Sequence, residues 1–242
     1  MKITFVYHSC FVVEFDEVVF VFDYFKGKLP EWEKNKRIYF FASHKHQDHF
    51  SLEIFKFAEQ YENVTFILSN DIKFTDKFIL RHGIKSNVKE RMIRIGKNEI
   101  LEIPMEESDL KVETLRSTDE GVAFLITYQD KVLFHAGDLH WWSWAGESDE
   151  EYVEMSKNYT NEINKLVDRV IDVAFVVLDP RQEERYWWGM DYFLKATNAS
   201  KVFPMHCWEK YWIIDQFKKD KENEKYCERL VNIEKEGDFF IL

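Results

Sequence analysis

The sequence predicts an α/β protein: two β-sheets packed face to face and covered by helices, in a single domain spanning residues 1–242. Three observations predict it. Short apolar runs of strand character fall in two blocks, and each block is followed by helix–strand alternation. No internal repeat, low-complexity tract or Pro/Gly/Ser-rich linker divides the chain. Hydrophobic residues make up 45% of it and aromatic residues 17%, enough for a core of domain size.

Ile3–Val6, Phe11–Glu14 and Val18–Phe22 read as a β-meander closed by Asp23-Tyr24-Phe25-Lys26-Gly27, and the charged, Pro30-containing segment Lys28–Lys36 as a loop. Arg37–Ala42 is an apolar run with the character of a buried strand, and Ser51 then opens an amphipathic helix carrying Ile54, Phe55, Phe57 and Ala58 on one side. Val64–Leu68 is a strand and Asp71–Leu80 a helix that stops at Gly83. Met92–Ile95, Ile100–Ile103, Lys111–Leu115, Val122–Thr127 and Lys131–Phe134 are short strands, with Gln129-Asp130 a tight turn between the last two. A long helix, acidic at its start, runs from Ser148 to about Val170. Val173–Leu178 is a buried strand, Tyr192–Thr197 part of a helix, Lys201–Phe203 a strand and Tyr211–Phe217 the apolar part of a helix. Val231–Leu242 adds one or two strands.

Between the Arg37–Ala42 strand and Ser51 lies His44-Lys45-His46-Gln47-Asp48-His49-Phe50. So many imidazoles and a carboxylate cannot all be buried unpaired, since each such group costs about 2–7 kcal/mol to desolvate. They face water or they hold a metal, and His-X-His-X-Asp-His is far more specific for metal than a lone His-X-His. Two further strand ends present groups of ligand type: Phe134-His135-Ala136-Gly137-Asp138-Leu139-His140 and Val202-Phe203-Pro204-Met205-His206-Cys207-Trp208. Taken singly, Asp138 equally fits a turn cap and His206 a core histidine.

In this order, the His-X-His-X-Asp-His loop, Gly137-Asp138 and Pro204-X-His206 make the chain similar to the metallo-β-lactamase superfamily of hydrolases. Met1–Cys10 and Val18–Asp23 also resemble the branch that contains the ascorbate-phosphate lactonase and its metal-dependent hydrolase relatives. The resemblance runs over nearly the whole chain. It implies a four-layer αββα sandwich of two mixed β-sheets flanked by helices, with one or two divalent ions, Zn²⁺ or Mn²⁺, at one edge. His44 and His46 would bind the first ion, Asp48, His49 and His206 the second, and Asp138 would bridge them. A hydroxide held between two such ions is then the nucleophile, because a metal-bound water has its pKa lowered to about 7. Asp48, Asp138 and His8 are the candidate catalytic residues, His8 as a substrate contact or proton donor unless it is only a turn histidine.

The chain departs from the family pattern in one place. Where a third histidine for the first ion is expected, it reads Thr114-Leu115-Arg116-Ser117-Thr118-Asp119-Glu120-Gly121. Asp119 or His140 could fill that position, or the first ion binds weakly or not at all. His82 reads as a surface residue and His135 as a packing or hydrogen-bonding group behind the ligands. Trp141 and Trp142 follow Asp138 closely enough to wall a substrate pocket, and Arg181 and Arg116 are candidate anion clamps. The remaining tryptophans read as a packing layer or an interface.

The formal charge of −11 argues against nucleic acid and anionic membrane as partners. No stretch reaches the ~18 apolar residues of a membrane span, the start lacks signal-peptide character, and three cysteines without a Cys-X-X-Cys suggest reduced thiols in the cytoplasm. The function expected is hydrolysis of a small or medium-sized ester, lactone or phosphodiester. A nuclease of the same superfamily, or a non-catalytic metal-binding or scaffold protein with a degraded first site, is the alternative. The sequence leaves self-association into a homo-oligomer open.

Overall fold

The computed structural model describes residues 1–106, 108–222 and 224–242, apart from the side chain of Ser86. They form two compact units, residues 1–96 with 235–242, and residues 97–234.

In the first unit the strands are β1 (Lys2–Tyr7), β2 (Cys10–Glu14), β3 (Val18–Phe22), β4 (Arg37–Ala42), β5 (Val64–Ser69) and β6 (Met92–Ile95). With the C-terminal strand Phe239–Ile241 outside β1, they make one seven-stranded sheet in sequence order. The C-terminal strand, β1, β2 and β3 pair antiparallel, whereas β3 to β6 pair parallel. Short turns suffice for the meander, but each parallel step needs a crossover. The loop before Arg37, helix α1 (Phe57–Gln60) and helices α2 (Asp76–Arg81) and α3 (Ser86–Lys89) lie in those crossovers.

One face of this sheet, including Val12, Val21, Phe40 and Phe66, packs against Ile54, Phe55, Tyr61 and Val88 from the crossovers. The opposite face, with Phe11, Phe20, Phe22, Phe41 and Ile67, is buried as well. Burial on both faces is why β3 and β4 read as continuous apolar runs without alternation. Two expected helices differ. After Ser51 the chain makes a 3₁₀ turn, Leu52–Lys56, before the single turn of α1. The helix expected from Asp71 begins only at Asp76, capped by Thr75, because the Asp71 carboxylate accepts the Lys45 N–H at 2.8 Å instead of starting a helix.

The second unit holds β7 (Ile100–Ile103), β8 (Leu110–Arg116), β9 (Val122–Tyr128), β10 (Lys131–His135), β11 (Val173–Val177) and β12 (Lys201–Met205). These form a six-stranded sheet in the order β12-β11-β10-β9-β8-β7. β7 to β10 are antiparallel and β10 to β12 parallel, so this sheet too is mixed. Pro204 sits in β12, an outer strand, where its missing N–H is tolerated. Helix α4 (Asp149–Ile163) starts in a capping box made by Ser148 and Glu151. It gives way to a 3₁₀ turn at Asn164–Leu166, short of the expected Val170. Helices α5 (Trp188–Ala196) and α6 (Trp212–Asp220) follow; Phe193 of α5 stacks on Phe134 of β10 at 5.6 Å.

Topology decides what meets at the strand ends. In the first sheet β1, β3, β4 and β5 run in one direction, so His8, Asp23, the loop from His44 and Asp71 all leave from one edge. In the second, β10, β11 and β12 run together and release Asp138, Asp179 and His206 at one edge.

Phe40 is 1% exposed, with its ring 5.2 Å from Phe57 and 5.7 Å from Phe66. Phe40→Ala is expected to lower stability by about 3–5 kcal/mol, read from urea unfolding; a loss below ~1 kcal/mol would mean this core is not closely packed.

Candidate metal centre

Around the first sheet's edge, His8, Asp48 and His49 each offer a ligand atom within 4.8 Å of the others. His8 Nε2 stands 3.6 Å from Asp48 Oδ2, and the His8 and His49 rings are 5.7 Å apart. The His44 ring lies 4.5 Å from that of His46 and 4.3 Å from that of His49. His8, His44 and His49 are buried, while His46 and Asp48 are half-buried.

These rings are held by Asp23, which is fully buried at the end of β3. Its Oδ2 accepts from His49 Nδ1 and Ser43 Oγ, each at 2.7 Å, and its Oδ1 accepts from the Ser43 N–H at 2.7 Å. Ser43 has one hydroxyl proton and gives it to the carboxylate. Its oxygen must therefore accept from His44 Nδ1, 2.9 Å away. Both imidazoles are fixed with the proton on Nδ1, so Nε2 carries the lone pair a metal needs. Burial and the Asp23 charge together push the Cys10 thiol up, which keeps it inert.

The second unit repeats this wiring. His206 is 2% exposed; its Nδ1 donates to Asp179 Oδ2 at 2.9 Å, and its Nε2 lies 3.6 Å from Asp138 Oδ1. Burial alone would raise the Asp179 carboxyl, but hydrogen bonds from His206 and Arg181 outweigh it and hold the group well below the usual carboxylate range. Asp138 leaves β10 through Gly137, at φ +52°, whose N–H donates to His135 Nδ1 at 3.1 Å. The Asp138 carbonyl accepts from Trp142 Nε1 at 3.0 Å, and the Trp142 ring lies 5.6 Å from His206. His8, Asp23 and His206 all have positive φ without being glycine, which costs of order 1–3 kcal/mol each and marks positions held by their surroundings.

Two other candidates are placed elsewhere. His140 is buried, and its Nε2 is 2.6 Å from Gln182 Oε1. The Gln182 amide is oriented by its own bonds to the Trp141 and Ser143 carbonyls, so the His140 nitrogen is the donor. Burial pushes His140 down to about 4, so the ring is neutral. It packs against Gly189, where a Cβ would stand 2.4 Å from its Cε1. Asp119 is exposed, and its N–H donates to Ser117 Oγ at 3.1 Å. Among the described residues, neither joins a group able to hold a metal. The Gln182 bond engages one His140 nitrogen and leaves Nδ1 without a hydrogen-bond partner among the described residues, while Asp119 stands at the surface. Trp141 packs among Tyr152, Tyr159, Trp188 and Tyr192. His82 is exposed at the end of α2, and His135 is buried behind the Asp138 turn. Asp23, Ser43 and Asp179 were not singled out from the sequence, although each follows an apolar strand just as Asp138 does.

The family described as the beta-lactamase superfamily domain matches residues 2–151. The chain belongs to the metallo-β-lactamase superfamily. Its structure is similar, over 100% of the chain, to Igni18, a metallo hydrolase from the archaeon Ignicoccus hospitalis, at 18% identity, TM-score 0.63 and 98% of that chain. It is also similar to CmlA, a diiron beta-hydroxylase from Streptomyces venezuelae, at 13% identity and TM-score 0.62, over 100% of this chain and 54% of that one. The metallo-beta-lactamase fold protein YhfI from Bacillus subtilis matches at 12% identity and TM-score 0.55, covering 99% of this chain and 98% of that one. At such identities these likenesses show the metallo-β-lactamase fold. No curated protein matches the chain. As a member of the superfamily the protein is classed with metal-dependent hydrolases, and its His and Asp groups can hold a divalent metal.

Asp23→Asn replaces an acceptor of three hydrogen bonds by an amide that must turn an NH₂ toward some of those donors. Retained metal is expected to bind 10–100-fold more weakly, read by competition with a chromophoric chelator. Unchanged affinity would separate Asp23 from ligand positioning. Gly189→Ala ordinarily gains about 1 kcal/mol in a helix; here the His140 ring makes it a loss of about 1–3 kcal/mol, read by urea unfolding.

Proposed function

We propose that this superfamily member hydrolyses a small or medium-sized ester, lactone or phosphodiester, using one or two divalent ions, Zn²⁺ or Mn²⁺. His44, His46, Asp48, His49, Asp138 and His206 are the proposed ligands, and the chain is proposed to be one domain, residues 1–242. The observation that supports this most is the repeated wiring of a buried carboxylate to a ligand-type histidine, Asp23 to His49 and Asp179 to His206. Such carboxylates fix the tautomer and raise the basicity of a metal-binding imidazole.

The donor set is nitrogen-rich with added carboxylate, which suits Zn²⁺ and tolerates Mn²⁺. A divalent ion bound there supplies Lewis acidity, which can bring the pKa of water to about 7. The protein's own residues do the rest. Asp23 and Asp179 hold the imidazoles in one orientation. Trp142 ties down the Asp138 turn and shields it from water. His8, beside Asp48, is placed to join the ligand set or to pass a proton to a leaving oxygen.

The charge of −11 supports a small-molecule substrate over nucleic acid. All three cysteines are free, which supports a reducing compartment such as the cytoplasm. No described helix is long and apolar enough to cross a membrane.

Metal removal with a chelator is expected to abolish turnover on a panel of aryl esters, lactones and bis(4-nitrophenyl) phosphate, and Zn²⁺ or Mn²⁺ to restore it. Asp138→Asn should retain the circular dichroism of the parent and lose at least about 100-fold in rate, as removal of a catalytic electrostatic group does. Metal-loaded protein that turns over none of the panel would favour a non-catalytic metal-binding role, and turnover confined to single-stranded DNA would favour a nuclease.

A further inference from the structure

Beside His206 the second unit carries a closed circle of side chains. The His206 ring lies 5.6 Å from Trp142, Trp142 stacks on Trp144 at 6.0 Å and 6°, and Trp208 returns to His206 at 5.5 Å. Between Trp144 and Trp208 stands the Arg181 guanidinium, 5.8 and 4.4 Å from their centroids. Asp179 grips one edge of that guanidinium: Nε lies 3.0 and 2.9 Å from its two oxygens, and Nη2 2.5 Å from Oδ2. His206 donates to the same Oδ2. The remaining nitrogen, Nη1, has no hydrogen-bond partner among the described residues, and the side chain is 43% exposed. Trp144 and Trp208 are 37% and 38% exposed. Arg185 Nη1 donates to the Trp144 backbone carbonyl at 2.8 Å, and the Trp208 indole Nε1 donates to Asp179 Oδ2 at 3.3 Å.

A guanidinium needed only to neutralise Asp179 has no use for two partly exposed indoles at its faces. Such flanks fix the plane of the fork and strip water from it, which strengthens its hold on an oxyanion. We propose that Arg181, clamped by Asp179 and flanked by Trp144 and Trp208, binds an oxyanion group of the substrate, a carboxylate or a phosphate, and so selects anionic substrates. This rests on the hydrolase reading above. Because Arg181 and His206 share one carboxylate oxygen, the bound oxyanion sits beside a proposed metal ligand, and the cleaved bond is a short span from the charged group.

The test uses the full chain with the metal it retains and three probes: benzoate, phenyl phosphate and neutral benzyl alcohol. Binding is read from tryptophan emission and metal content is measured in parallel. At least one oxyanion is expected to bind the parent more tightly than benzyl alcohol does. Arg181→Gln is expected to weaken it about 10–100-fold, as loss of a charged hydrogen-bond partner does, with benzyl alcohol and metal content unchanged. The more tightly held probe names the group. Equal oxyanion binding in parent and variant would assign the anion to the metal and overturn the proposal, as would a parent that prefers benzyl alcohol. Loss of metal together with oxyanion binding would make Arg181 a support for His206 and also overturn it. Should Arg181→Gln fail to fold, Arg181→Lys keeps the charge and loses the fork; several-fold weaker oxyanion binding supports the proposal, and unchanged binding refutes it. Turnover of an anionic aryl ester, 4-acetoxybenzoate, is followed separately: its absence in the metal-loaded parent counts against the hydrolase reading and leaves the binding result to stand on its own.

Discussion

The buried Asp23 carboxylate is the constraint on which the first unit's edge depends. A carboxylate with no exposure is tolerated only when its lone pairs are filled, and Asp23 fills them with the Ser43 backbone, the Ser43 hydroxyl and His49. Meeting that demand fixes how the chain leaves β4, which ring nitrogen of His49 carries the proton and, through Ser43, which nitrogen of His44 does. One side chain at the end of a neighbouring strand thus orients two histidines of the motif. Asp179 does the same for His206 in the second unit, with Arg181 added to offset its charge.

The sheets supply the rigidity such wiring needs. Parallel strands buried on both faces end at a common edge, so short loops leaving them start from fixed points. The left-handed backbone at His8, Asp23 and His206 is then affordable because the strands before each are locked by packing. Three of the eight non-glycine positive-φ positions among the described residues are His8, Asp23 and His206, in keeping with positions held in place by their surroundings.

The aromatic residues divide by role. Trp141 lies within a layer of tyrosines and Trp188, while Trp142, one residue on, turns its ring toward His206 and its N–H to the Asp138 carbonyl. Gly189 lets the His140 ring come close to α5, so a histidine two residues from Asp138 belongs to the packing of that helix.

Much was legible in the sequence, for a physical reason in each case. Strands such as Val18–Phe22 and Arg37–Ala42 matched their observed bounds because apolar β-rich runs report burial directly. The His-X-His-X-Asp-His loop was legible because so many ligand-type groups have few other uses, and the Ser148 cap because it is local. What the sequence could not determine depended on partners distant in the chain. Asp23 meets Ser43 and His49 across 20 and 26 residues, and Asp179 meets His206 across 27. Local pattern makes Asp23 a turn residue and Asp179 a cap. Likewise the partner of His140 Nε2, Gln182, lies 42 residues away. The sequence by itself determined which residues could bind a metal; the tertiary structure decided which of them are oriented to do so, because orientation is set by hydrogen bonds that close only when distant strand ends are brought to one edge.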